Sequence, residues 1–161
     1  MMIRRALLAA LLLLGIAAPG AQAAANPLTF AVDKTQAVRG DTVTFTVTFT
    51  NPEATDVYFS YLSVNPNWAT ANAGLKYNFT GCTGEVNWCS VVGPESRGGA
   101  LHYGIPIPAG ASRTATLSYQ VAADSACGPG KDVGFYFYTY RETSTGPADA
   151  VVPGPVTAIN C

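Results

Sequence analysis

The sequence predicts an all-β chain, an antiparallel sandwich of about seven to eight short strands behind a cleaved export leader. Three observations carry that expectation. Beyond residue 25, apolar and polar residues alternate with period two, and no stretch sustains a 3.6-residue period. Turn-forming groups recur between the alternating stretches: Arg39-Gly40-Asp41, Asn51-Pro52, Asn65-Pro66, Pro108-Ala109-Gly110 and Gly128-Pro129-Gly130. Residues 1–23 have the three-part organisation of a signal peptide.

The leader comes first. Arg4 and Arg5 form a positive n-region, and Ala6 to Ala18 is an Ala/Leu run too short to span a bilayer. Pro19-Gly20 breaks the run, and Ala21-Gln22-Ala23 supplies a cleavage site, with Ala23-Ala24-Ala25 as a second choice. Ile3 precedes the arginine pair and the core is Leu-rich, which favours the general secretory route over the twin-arginine route. No Cys follows the apolar run, so a lipoprotein anchor is not expected. Residues 1–23 are thus expected to be a signal peptide and residues 24–161 one sandwich domain, secreted or in the periplasm or cell envelope, without a membrane span.

Cleavage after Ala23 removes Arg4 and Arg5, leaving 138 residues with seven basic and ten acidic side chains and a net charge of −3. A chain of that length buries ~68% of the surface it exposes when unfolded, enough for one core. Hydrophobic residues make up 48% and charged residues 12%, which excludes a solvated disordered chain. A near-neutral balance also argues against nucleic acid as partner.

The strands follow in order. Leu28 to Val32 is short. Asp41 to Thr50 places Val43, Phe45, Val47 and Phe49 on one face and Thr42, Thr44, Thr46, Thr48 and Thr50 on the other. Thr55 to Val64 is expected to point Val57 and Phe59 inward. Leu75 to Thr80 and Leu101 to Ile105 are weaker. Ser112 to Val121 turns Ala115, Leu117, Tyr119 and Val121 inward and Thr114, Thr116, Ser118 and Gln120 outward. Val133 to Tyr140 turns Val133, Phe135 and Phe137 inward and Tyr136, Tyr138 and Tyr140 outward. The last strand, around Val151 to Ile159, is bent by Pro153 and Pro155.

Four cysteines, Cys82, Cys89, Cys127 and Cys161, lie in the exported part. An even count there favours disulfides, with three pairings open. There is no C-x-x-C, and His102 is the only histidine, so no metal site and no cofactor is expected.

The run Gly40-Asp41-Thr42-Val43-Thr44-Phe45-Thr46-Val47-Thr48-Phe49-Thr50-Asn51 resembles the second-strand signature of the bacterial conserved-repeat surface domain, an immunoglobulin-like domain of unknown function. Lys34, Thr55-Asp56-Val57 and Pro108-Ala109-Gly110-Ala111-Ser112 fit its layout, and the resemblance covers roughly residues 28 to 160. It implies an immunoglobulin-like sandwich acting as a non-catalytic surface or adhesion module. With that topology, Cys127 after the fifth strand and Cys161 after the last fall at one end. Cys82, after the fourth strand, falls at the other, seven residues from Cys89. The implied pairs are Cys82–Cys89 and Cys127–Cys161.

Catalytic signals are sparse. No G-x-S-x-G is present, and His102 between Leu101 and Tyr103 fits a strand or loop histidine near the surface. The carboxylates are scattered. Glu53 and Asp56 come nearest to a cation loop but fit solvated turn positions. Lys34 and Asn160, candidates for a self-formed amide, are expected to lie too far apart. Asn78-Phe79-Thr80 matches a glycosylation acceptor, and Arg39-Gly40-Asp41 is explained by the turn that precedes a strand. Trp68 and Trp88 are expected in loops, Trp88 packing on the Cys89 bridge.

The best lead is a tyrosine row, Tyr136, Tyr138 and Tyr140, joined by Tyr58 from a neighbouring strand. Tyr rings pack on sugars and are enriched at protein interfaces, whereas a plain packing ladder of cross-strand pairs gives ~0.2–1 kcal/mol each. The opposite, Thr-rich face fits a soluble β-favouring surface. The expectation is therefore a non-enzymatic interaction module with a protein or glycan partner of the cell envelope or extracellular space. A carbohydrate-binding module is the alternative, and a small secreted hydrolase a remote one.

Overall fold

The computed structural model describes residues 26–93 and 96–161. The expected signal peptide lies outside them.

Alternation of β-branched and aromatic residues with Thr and Ser builds ten strands. They are β1 (Leu28–Val32), β2 (Gln36–Val38), β3 (Thr42–Thr50), β4 (Ser60–Pro66), β5 (Tyr77–Gly84), β6 (Val86–Cys89), β7 (Gly99–Tyr103), β8 (Ser112–Val121), β9 (Asp132–Thr143) and β10 (Gly146–Asn160). A short helix α1 (Trp68–Asn72) follows β4. Asn67 caps it by accepting from the Thr70 amide at 2.8 Å, and the Thr70 hydroxyl donates to the Gly134 carbonyl at 3.0 Å.

The strands form two sheets, one of four strands ordered β1-β3-β8-β5 and one of six ordered β2-β10-β9-β4-β7-β6. Stacked face to face they make an immunoglobulin-like β-sandwich. Pairing is antiparallel except for β2, which runs parallel to β10 along Ala158–Asn160. β10 carries Pro147, Pro153 and Pro155, and its register shifts between Pro153 and Val156. Gly154 sits in that shift because any side chain there would overlap the Phe137 ring.

The alternation of β3, β8 and β9 sets the core. Phe45 of the four-stranded sheet meets Phe135 and Phe137 of the other at ring-centroid distances of 5.6 and 5.7 Å. Phe79 and Tyr119 close on Phe135 at 5.5 and 5.6 Å. Such tilted and edge-on pairs add to the burial term, which is ~1.5–3 kcal/mol for each large apolar side chain.

All eight segments expected from alternation carry strands; the short β2 and β6 are additional. One phase differs. Val57 is buried, but it forms an isolated bridge with Ile107, and β4 begins only at Ser60. Ser60, Leu62 and Val64 then face inward. Phe59, expected in the core, is half-buried on the outside instead. The break between Val57 and Ser60 inserts one extra residue, which flips every later side chain.

Both disulfides form, Cys82–Cys89 and Cys127–Cys161. Cys82 lies within β5, not after it, so the first bridge joins the edge strand of one sheet to the edge strand of the other.

Candidate functional site

The outer face of the six-stranded sheet concentrates aromatic side chains in register. Trp88 of β6 pairs with His102 of β7, His102 with Tyr61 of β4, Tyr61 with Tyr140 of β9, and Tyr140 with Asp149 of β10. At strand spacing, that row runs about 19 Å across the sheet. Rings stay in contact along part of it: Trp88–His102 at 5.4 Å and Tyr61–His102 at 5.3 Å. Phe59 abuts His102 edge-on at 5.0 Å and Tyr140 at 5.9 Å.

Tyr138 and Tyr136 extend the face along β9. Tyr138 lies opposite Ser63 and Val151, and Tyr136 opposite Asn65 and Pro153. Neither faces an aromatic ring across the sheet, so cross-strand pairing does not account for them. Phe137, between them, is fully buried while Tyr136 is 39% exposed.

Polar capacity on this face is open. The buried Tyr77 and Tyr103 hydroxyls donate to the Arg97 and Val47 carbonyls. By contrast, the hydroxyls of Tyr61, Tyr136, Tyr138 and Tyr140 have no hydrogen-bond partner among the described residues. Desolvation, and then the negative charge of Asp149, raise the Tyr138 phenol above the ordinary tyrosine range.

The remaining expected residues fall as follows. Tyr58 is 65% exposed and precedes β4. It stands outside the row, in a depression with Asp56, Glu142 and Thr143. Tyr61 occupies the place expected of Tyr58, because of the phase break. Trp88 lies on a strand, not in a loop, and packs on His102; Trp68 opens α1 and is 83% exposed. His102 is half-buried among Phe59, Tyr61 and Trp88, while the nearest carboxylate of the row, Asp149, is three strands away.

Beneath the face, Arg141 is buried and its Nε and Nη2 both donate to Glu53 Oε1, at 2.9 and 2.8 Å. Glu53, expected as a solvated turn residue, is therefore the partner of a buried guanidinium. Among the described residues no group of three or more His, Cys, Asp or Glu side chains is placed to hold a metal ion, and no helix is long and apolar enough to cross a membrane. Lys34 Nζ donates to the Thr42 carbonyl at 2.9 Å, while Asn160 Nδ2 donates to Gln36.

No family model and no curated protein sequence matches the chain. Solved structures share its fold. The sixth cohesin of scaffoldin B from Acetivibrio cellulolyticus, solved with a Cel5 dockerin, superposes with a TM-score of 0.52 at 12% identity, over 84% of this chain and 99% of that one. A cohesin module of a family 33 glycoside hydrolase from Clostridium perfringens gives 0.52 at 11% identity, over 83% and 95%. The major pilin subunit of Bacillus cereus gives 0.51 at 6% identity, over 82% of this chain and 40% of its own. At such identities the likeness is one of fold.

Proposed function

We propose that the chain is an exported, non-catalytic interaction module of the bacterial surface or envelope, and that it binds a protein partner through the aromatic face of its six-stranded sheet. One observation carries the reading: Tyr136 and Tyr138 stand on a regular strand without aromatic partners and with unengaged hydroxyls, beside the Trp88–His102–Tyr61–Tyr140 row. Exposed aromatic residues that the fold does not use are what interface centres are made of. Two disulfides suit an oxidising compartment. Cohesin modules with this fold, one of them solved with its dockerin, lend support by analogy.

The same combination of ring and hydroxyl supports a second reading, a glycan laid across the tyrosines. The test is a pull-down of envelope proteins alongside a glycan array, run on the native secreted protein and on Tyr138→Ala and Trp88→Ala. Both substitutions are expected to leave the melting temperature nearly unchanged and to abolish capture of one partner. Capture that survives both overturns the reading. Glycan binding lost in both, without protein capture, establishes the second reading instead.

A further inference from the structure

The charges around the face are arranged asymmetrically. Among the described strand residues that face outward with the tyrosines, none is Lys or Arg. Three carboxylates gather at one end: Asp149 opposite Tyr140, Glu142 two residues beyond Tyr140, and Asp56 in the depression that Glu142 lines; Asp132 stands apart at the other end of β9. The ion pairs of the described residues engage Asp41, Asp124, Glu85 and Glu53, and none of these three acids.

The basic side chains are already committed. Lys34, Lys76, Arg113 and Arg141 hold carboxylates, and Arg39 and Lys131 donate to the Ser125 and Ala73 carbonyls. Arg97 lies at the opposite end of the face, beside Pro66 at the close of β4. Among the described residues the one cation near the acidic end, Arg141, faces inward and is already paired with Glu53, so Asp149 and Glu142 have no ion-pair partner of their own. Its neighbours are Tyr140 and Tyr138, whose ring faces attract cations.

We infer that the occupant of this face is a basic protein segment, which lays a Lys or Arg side chain over Tyr138 and Tyr140 with its charge against Asp149 and Glu142. The inference rests on the aromatic face being the binding face. It adds the partner's chemistry, because complementary potentials select partners where apolar area alone does not. A neutral glycan would gain hydrogen bonds from the carboxylates but no charge pairing, and an acidic partner would be repelled by them.

The probe is a hexa-arginine peptide titrated into the isotope-labelled secreted protein and followed by amide chemical shifts, with hexa-glutamate and cellohexaose as comparators. Hexa-arginine is expected to shift the amides of Tyr138, Tyr140 and Asp149 and to weaken with added salt. Asp149→Asn combined with Glu142→Gln is expected to weaken its binding about fivefold, with melting unchanged because both groups are exposed. Asp132→Asn, at the far end of β9 from Tyr140, leaves binding as it was. Shifts centred elsewhere, equal binding by the double variant, or shifts from cellohexaose alone overturn the inference. The two proposals fail separately. Capture lost in Tyr138→Ala, with hexa-arginine silent, removes only the charge assignment. Capture that persists in both Tyr138→Ala and Trp88→Ala removes the face itself.

Discussion

The two outer faces of the sandwich use the same strand pattern and end in opposite conditions. On the four-stranded sheet the outward residues of β3 and β8 are hydroxyls that bond one another: Thr44 with Ser118 at 2.9 Å, Thr48 with Thr114 at 3.1 Å, and Thr50 with Ser112 at 2.8 Å. On the six-stranded sheet Tyr136 and Tyr138 lie opposite only Ser63, Asn65, Val151 and Pro153, and none of these engages their hydroxyls. A face whose polar groups satisfy each other has little left to offer a partner. A face that spends large aromatic residues on solvent and leaves their hydroxyls free has both the area and the hydrogen bonds to offer. The difference separates a solubilising surface from a binding one without reference to any ligand.

The sharpest way to break this comparison is inside β9. Phe137→Ala is expected to destabilise by ~3–5 kcal/mol, as a buried large-to-small change does, whereas Tyr138→Ala, at a half-buried position on the outer face, costs about 1 kcal/mol. Thermal melts of the pair decide it, and equal losses would make the tyrosine row structural. Next comes the bridge that clips β6 to the opposite sheet. Replacing Cys82 and Cys89 by Ser is expected to cost ~2.5 kcal/mol by loop entropy. It should also weaken binding at the Trp88 end more than at the Tyr140 end, read by amide shifts along both strands.

Alkali tests the interior that separates the faces. Burial pushes the Tyr119 phenol up from 10.0 to about 12, and raises Tyr103 and Tyr77 in the same direction. The folded chain then keeps protons that the unfolded chain releases, so stability is intact below pH 10 and falls as pH rises through the folded values. Near pH 11.5 Tyr119 alone accounts for about 2 kcal/mol. Melting temperatures between pH 9 and 12 check the sign, and a flat profile would refute it. The smallest effect belongs to the hydroxyl face. Thr48→Val with Thr114→Val is expected to change stability by less than about 1 kcal/mol and partner capture not at all. A loss of capture there would reassign the binding face.

Strands β3, β8 and β9 were legible because nine or more residues of unbroken alternation leave only one register that buries Phe45, Leu117 and Phe137. The site was legible in part. The β9 tyrosines follow from the same alternation, but Tyr61, Trp88 and His102 do not. Tyr61 was hidden by the phase break at Tyr58, and by Ser60, a polar residue that takes a buried position. Trp88 sits on a four-residue strand, β6, and β2 has only three residues; segments that short show no period. That the row runs across five strands could not be read from any one of them. It exists only in the pairing.

β10 has one further consequence. β2 covers only Ala158–Asn160 on its outer side, and the described residues supply no other strand there. An open edge of that length would ordinarily recruit another chain. Pro147, Pro153 and Pro155 withhold three of its amide donors, and the shift after Pro153 breaks the straight run that a new strand would need. Copies crowded together are therefore hindered from adding a strand along β10, so growth of the six-stranded sheet from that side is blocked by the sequence of the strand itself.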